Sequence, residues 1–158
     1  MSIIELALGI GSAIALALSG MIQINIQAQV FQQQSDMAFY VNEAPRIARA
    51  VQSLVGRATD LTVYSARSGA PALTGSAIKA GMIDPVTGAK VYCWIDYNAG
   101  YNAIEYVNAN NASWYMGHNI DSGTTFTLND DGTITMLLKH VGAGNNNGPA
   151  IEMVLERR

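Results

Sequence analysis

From Leu6 to Ser35 the chain carries no Asp, Glu, Lys, Arg or His, and its first part, Leu6 to Ile22, is almost purely apolar. A run of this length reads as a membrane-crossing helix. One acid, Glu5, stands at its head. A carboxylate costs on the order of 2.5–3.5 kcal/mol at the centre of a bilayer, so an acid at the start of such a helix needs a partner. No Lys or Arg precedes it, and the first cation in the sequence is Arg46. A secretory signal opens with a basic segment, and a newly made anchor carries Lys or Arg on its cytoplasmic side. The expectation is that Met1 begins a processed chain whose basic leader has been removed. The free α-amino group of Met1 is then the cation nearest Glu5.

The patterns that follow predict an α+β fold in three parts. Residues 1–55 form a long helix, with 1–22 apolar and 23–55 amphipathic. In the second half Met37, Tyr40, Val41, Ala44, Ile47, Ala48, Val51, Leu54 and Val55 recur at three- and four-residue steps. Asn42, Glu43, Arg46, Arg49 and Gln52 take the other face. Pro45 is expected to kink or divide the helix near Glu43, and Gly56 to stop it. A continuous helix of this length would run roughly 80 Å at about 1.5 Å per residue, against about 30 Å of bilayer hydrocarbon. The projecting apolar stripe therefore needs a domain of the same chain to cover it.

Residues 56–88 read as a connecting loop region, with Ser76 to Met82 as a short helical turn. Residues 89–158 read as an antiparallel sheet of four to six strands forming a globular head. Val91, Cys93, Ile95 and Tyr97 alternate with Lys90, Tyr92, Trp94 and Asp96. Ile134, Met136, Leu138 and His140 do the same, as do Ile151, Met153 and Leu155. Shorter strands fit 61–65, 102–107, 113–116 and 124–128. Asn98-Ala99-Gly100 and Asp130-Asp131-Gly132 are hairpin turns.

Chemistry-bearing groups are sparse. The sole cysteine, Cys93, allows no intrachain disulfide and sits in an apolar strand pattern as a small hydrophobe. His118 and His140 lack neighbours at metal-ligand spacing, so no metal, cofactor or catalytic site is expected. Asn129 to Gly132 lacks the alternating acids of a calcium loop and reads as a turn. Asn111-Ala112-Ser113 matches an N-glycosylation acceptor, a triplet common by chance. Gly142 to Gly148 reads as a surface loop, adhesive or glycan-bearing in one reading and plain in the other. Tyr97, Tyr101, Tyr106, Trp114 and Tyr115 cluster around two hairpins, as sheet packing or as a subunit contact. A net charge of −3 and a pI of about 5.2 suggest no nucleic-acid partner.

Met1-Ser2-Ile3-Ile4-Glu5-Leu6 with the apolar run behind it resembles the mature N-terminus of type IV pilins and pseudopilins. The likeness covers the first third of the chain. It implies cleavage by a prepilin peptidase, methylation of Met1, and residence in the inner membrane as a precursor before export to a cell-surface filament. It implies further that the product is a structural subunit and not an enzyme. The partners are other copies of the chain and the inner-membrane assembly machinery. Glu5 would neutralise the Met1 amine of a neighbouring subunit, and Gly9, Ala13 and Ala17 would allow close helix packing. Met1 stands where Phe is commonest in that family, Ile22 where many members have proline, and Ile14 where glycine is common. Ser19-Gly20 is where the helix would melt on assembly, since a glycine weakens a helix by about 1 kcal/mol. The alternatives are a pseudopilin or minor pilin of a secretion or DNA-uptake system, and a membrane-anchored binding module that does not polymerise.

Overall fold

The computed structural model describes residues 3–141 and 150–156, with side chains from Ser12 onward. The chain divides into two units between Met37 and Ala38. The first is one helix, α1 (Ile3–Ala38). Its alanines, leucines and glutamines are good helix formers, and Gly20 does not interrupt it. Helical backbone runs from Ser12 to Val55, 44 residues with an 18-residue window of mean hydropathy 1.4. By length and composition this is enough to cross a membrane.

The second unit begins with a π-turn (Phe39–Glu43) and α2 (Ala44–Val55). Pro45 lies in the first turn of α2, where its missing N–H costs nothing. One turn earlier the Ala44 N–H donates to the Phe39 carbonyl, five residues back, which inserts an extra residue into the turn. The helix is thus divided at Glu43, as the proline predicts, by a π-turn.

The insertion also corrects the buried face. The inward residues are Phe39, Ala44, Ile47, Val51 and Val55. Met37 and Val41, expected inward, are 69% and 66% exposed, while Tyr40, Ala48 and Leu54 are partly buried. With one extra residue inserted between Phe39 and Ala44, a stripe extrapolated backward from Ala44 at α spacing lands on the wrong side. Gly56 ends α2 in a right-handed conformation, its N–H donating to Gln52 O at 2.8 Å.

Nine strands follow: β1 (Asp60–Tyr64), β2 (Thr74–Gly75), β3 (Ala77–Ile83), β4 (Lys90–Asn98), β5 (Ala103–Val107), β6 (Ser113–Gly117), β7 (Thr125–Leu128), β8 (Ile134–Lys139) and β9 (Ala150–Leu155). The fold is α+β and antiparallel, as expected, but the strands form two sheets. One has the order β1-β3-β4-β5-β6 and the other β2-β7-β8-β9. The region 56–88 is not a plain connection. The residues read as a short helical turn form β3, which pairs with β1 on one side and β4 on the other. Alanine and glycine in β3 suggested helix and loop, but the ladder outweighs intrinsic preference. Residue size matters here, because a Cβ on Gly81 would overlap Asp60 Oδ1 and Lys90 Cε.

The core joins α2 to both sheets. Ile47, Val51 and Val55 pack with Val63, Ile78, Ile95 and Ile104 of the first sheet and Phe126, Ile134, Met136 and Leu138 of the second. Gly117 lets β6 approach α2, since a Cβ there would overlap Ile47 Cδ1. Gly132, at φ +82°, makes the β7–β8 turn that Asp130-Asp131-Gly132 predicts.

Candidate assembly surface

The long helix carries a run of exposed apolar side chains. Ile14, Leu16, Leu18, Met21, Ile22, Ile24, Ile26, Val30 and Phe31 are all exposed, between 46% and 73%. From Ser12 to Gly20 the apolar residues surround the axis, and Ser19 satisfies its hydroxyl by donating to Leu16 O at 2.9 Å. Ala13 and Ala17 lie on α1 one turn apart and are exposed, so small-residue surface is open there. Gly20 lies within regular helix, and a Cβ added to it would meet nothing within 4 Å. The side chains of Glu5 and Gly9 lie outside the described residues, and Met1 lies outside them altogether.

The second unit places the remaining candidates. Cys93 is buried, its Sγ donating to Ala80 O at 3.5 Å, and burial pushes the thiol pKa up. His140 is buried and stacks on Phe39 at 4.5 Å between ring centroids, with its N–H donating to Tyr40 Oη at 3.1 Å. His118 is exposed beside Tyr115. Among the described residues no three His, Cys, Asp or Glu side chains are grouped to hold a metal. Asn129, Asp131 and Thr133 bond one another across the β7–β8 turn. Asn111 is exposed at φ +60° in the β5–β6 turn. The run Gly142 to Gly148 lies outside the described residues.

The aromatic cluster comes together as neighbouring pairs. Tyr106 stacks on Trp114 at 5.8 Å, Tyr101 meets Tyr115 at 4.9 Å, and the Tyr97 hydroxyl donates to Asn102 Oδ1 at 3.0 Å. Tyr101, Trp114 and Tyr115 remain exposed.

Two features escaped the sequence. The first is Gln52, expected on the solvent face of α2. Its Nε2 donates to Glu156 O at 2.6 Å and its Oε1 accepts from Glu156 N at 3.1 Å, so one amide completes the end of β9 as a strand would. The second is a carboxylate pair, Asp96 on β4 directly opposite Glu105 on β5. Each is 7% exposed. Asn98 Nδ2 donates to Glu105 Oε2 at 2.8 Å, while Asp96 Oδ1 is buried without a hydrogen-bond partner. Burial pushes the Asp96 pKa up to about 6, opposed by the Arg67 charge and reinforced by Glu105. Both acids occupy polar positions of alternating strands, and only the cross-strand register reveals that they meet.

No family model matches the chain, and no curated protein and no solved structure matches it.

Proposed function

We propose that this chain is a pilin-like structural subunit that polymerises through α1 into a cell-surface filament. One observation carries the reading: a long helix, uncharged from Leu6 to Ser35, leaves its apolar side chains exposed, while the unit that follows it has a closed core of its own. A helix that only anchored a module would need about 20 apolar residues. This one continues well beyond that length before its own chain buries any of it. The apolar run and Glu5 at its head add support.

In this reading a prepilin peptidase frees the Met1 amine, which is then methylated, and the subunit waits in the inner membrane. The assembly machinery then transfers the helix from lipid into a bundle of identical helices. Glu5 pairs there with the Met1 amine of a neighbour. Removing one partner of such a buried pair costs about 3–5 kcal/mol. Glu5→Ala is therefore expected to cut filament yield while the head stays folded, and wild-type yield from that variant would end the pairing idea. Mass spectrometry of the N-terminal peptide from sheared filaments tests the whole reading. A chain starting at Met1 with one added methyl group supports it. Recovery only from membranes, unmethylated and without filaments, favours an anchored module.

A further inference from the structure

The cations of the head differ in what they touch. Arg46 pairs with Glu43, Lys90 pairs with Asp60 at 3.0 Å, and Lys79 Nζ lies 4.4 Å from the centre of the Tyr92 ring. Among the described residues Arg49 and Arg57 have no carboxylate within ion-pair distance. Both line one cavity of about 490 Å³ at the C-terminal end of α2, together with Gln52, Ser53 and Gly56. Arg49, Ser53 and Arg57 follow one another at four-residue steps, so Ser53 stands between the two arginines on one side of the helix. Arg57 Nε donates to Ser53 O at 3.0 Å, which holds the guanidinium over the carbonyl end of α2 and leaves its two terminal amino groups for a ligand. Its charge there offsets the negative end of the helix dipole, which would otherwise oppose an anion. A second cavity, of about 480 Å³, shares Arg57 as a wall. Met82, Pro85, Val91 and Tyr106 give it an apolar and aromatic lining at one end of the first sheet. The carboxylate in that lining, Asp84, is held in its own turn, its Oδ1 accepting the N–H groups of Val86 at 2.8 Å and Thr87 at 3.3 Å.

We propose that the two cavities form one binding site for a small organic phosphate, its phosphoryl group held by Arg49, Ser53 and Arg57 and its organic body lying against Pro85, Val91 and Tyr106. The chain has 12 acids against 9 Lys and Arg, enough to pair every cation, yet none reaches these two arginines. Guanidinium groups are planar forks that match oxyanions with two parallel bonds each. A carboxylate offers two oxygens and fills one fork. A phosphoryl group offers three acceptor oxygens and can engage both, with the Ser53 hydroxyl as a further donor. The space exceeds what a bare anion needs, since cavities of roughly 300–1,000 Å³ take whole organic ligands. Beside the cationic wall the lining turns apolar, which suits the carbon part of such a molecule. No lining residue belongs to α1, so the site is present whether or not the chain polymerises.

Isothermal titration calorimetry of the full chain in nonionic detergent tests this, with phenyl phosphate as the probe and inorganic phosphate and phenol as comparisons. Phenyl phosphate is expected to saturate one site per chain and to bind about tenfold or more tighter than either comparison, because each of them supplies only half of the contacts. Arg49→Gln and Arg57→Gln are each expected to weaken it about tenfold, as loss of a hydrogen bond to a charged group does. Arg46→Gln should leave binding unchanged, since Arg46 belongs to the pair with Glu43 and lines neither cavity. Arg57→Gln also removes a bond to the Ser53 carbonyl, so Arg49→Gln decides the matter if the other variant loses its fold, which tryptophan fluorescence reads. Equal binding of phenyl phosphate and inorganic phosphate would mean an adventitious ion only and overturns the site. Equal binding of phenol overturns the part given to the arginines and with it the proposal. Absence of heat from phenyl phosphate, or binding that survives substitution of Arg49, overturns it as well.

Discussion

α1 and α2 are made by continuous chain, yet their surfaces ask for different surroundings. Along α2 the apolar residues fall on one side, and Ile47, Val51 and Val55 are wholly buried against the sheets. Along residues 21–32 they fall on two sides, and from Ser12 to Gly20 they fall on all sides, without burial by the chain itself. The number of apolar stripes on a helix thus states how many neighbours it must have. One stripe is satisfied within the chain. Two or more are left uncovered among the described residues, as the proposed polymer or a lipid surface would need.

The sharpest way to break this contrast is to cut into the buried stripe of α2. Ile47→Ala removes a fully buried side chain and is expected to destabilise the head by about 2–5 kcal/mol in denaturant titrations followed by tryptophan fluorescence. Titration with acid separates the regions next. Residues 6–35 carry no charged group, so their helicity should not respond to pH. The head should respond through Asp96. Its folded pKa, about 6, lies above the ordinary 3.8, so the fold holds this proton more tightly than the unfolded chain does. Its contribution is complete below the unfolded pKa and declines as pH rises through about 6. The expected loss is roughly 2–3 kcal/mol between acid and neutral pH, absent in Asp96→Asn.

A smaller effect belongs to Gln52→Ala, which removes both amide bonds to Glu156. Destabilisation of about 1–3 kcal/mol is expected, with faster hydrogen exchange along β9. Ile24→Ala gives the smallest change. The head's stability should stay within about 0.5 kcal/mol of wild type, because Ile24 is 66% exposed. A large effect there would mean that α1 supports the head directly.

The fold class, the helix break and most strands were legible because each rests on local pattern. Pro45 marked the division at Glu43, and Asp130-Asp131-Gly132 marked its hairpin. What stayed hidden is either a local departure from ideal helix or a contact between residues distant in sequence. The π-turn rotates the buried face onto Phe39, a shift no α periodicity contains. β3 lacks a strand's composition and is made a strand by β1 and β4. Gln52 reads as a surface residue until β9 arrives beside it. Of the candidate assembly surface, the apolar character of α1 was plain in the sequence. The roles assigned to Glu5 and Met1 rest on resemblance, and their side chains lie outside the described residues.

The uncharged span from Leu6 to Ser35 has one more consequence, for the medium in which such contacts must last. Ion pairs on a surface weaken as salt rises, because the screening length falls from about 30 Å at 0.01 M to about 3 Å at 1 M. Contacts made by this span have no charge to screen, and exclusion of strongly hydrated salts strengthens apolar burial. In the proposed polymer, an assembly held by these residues would keep its cohesion from fresh water to brine, and its salt sensitivity would originate in its heads.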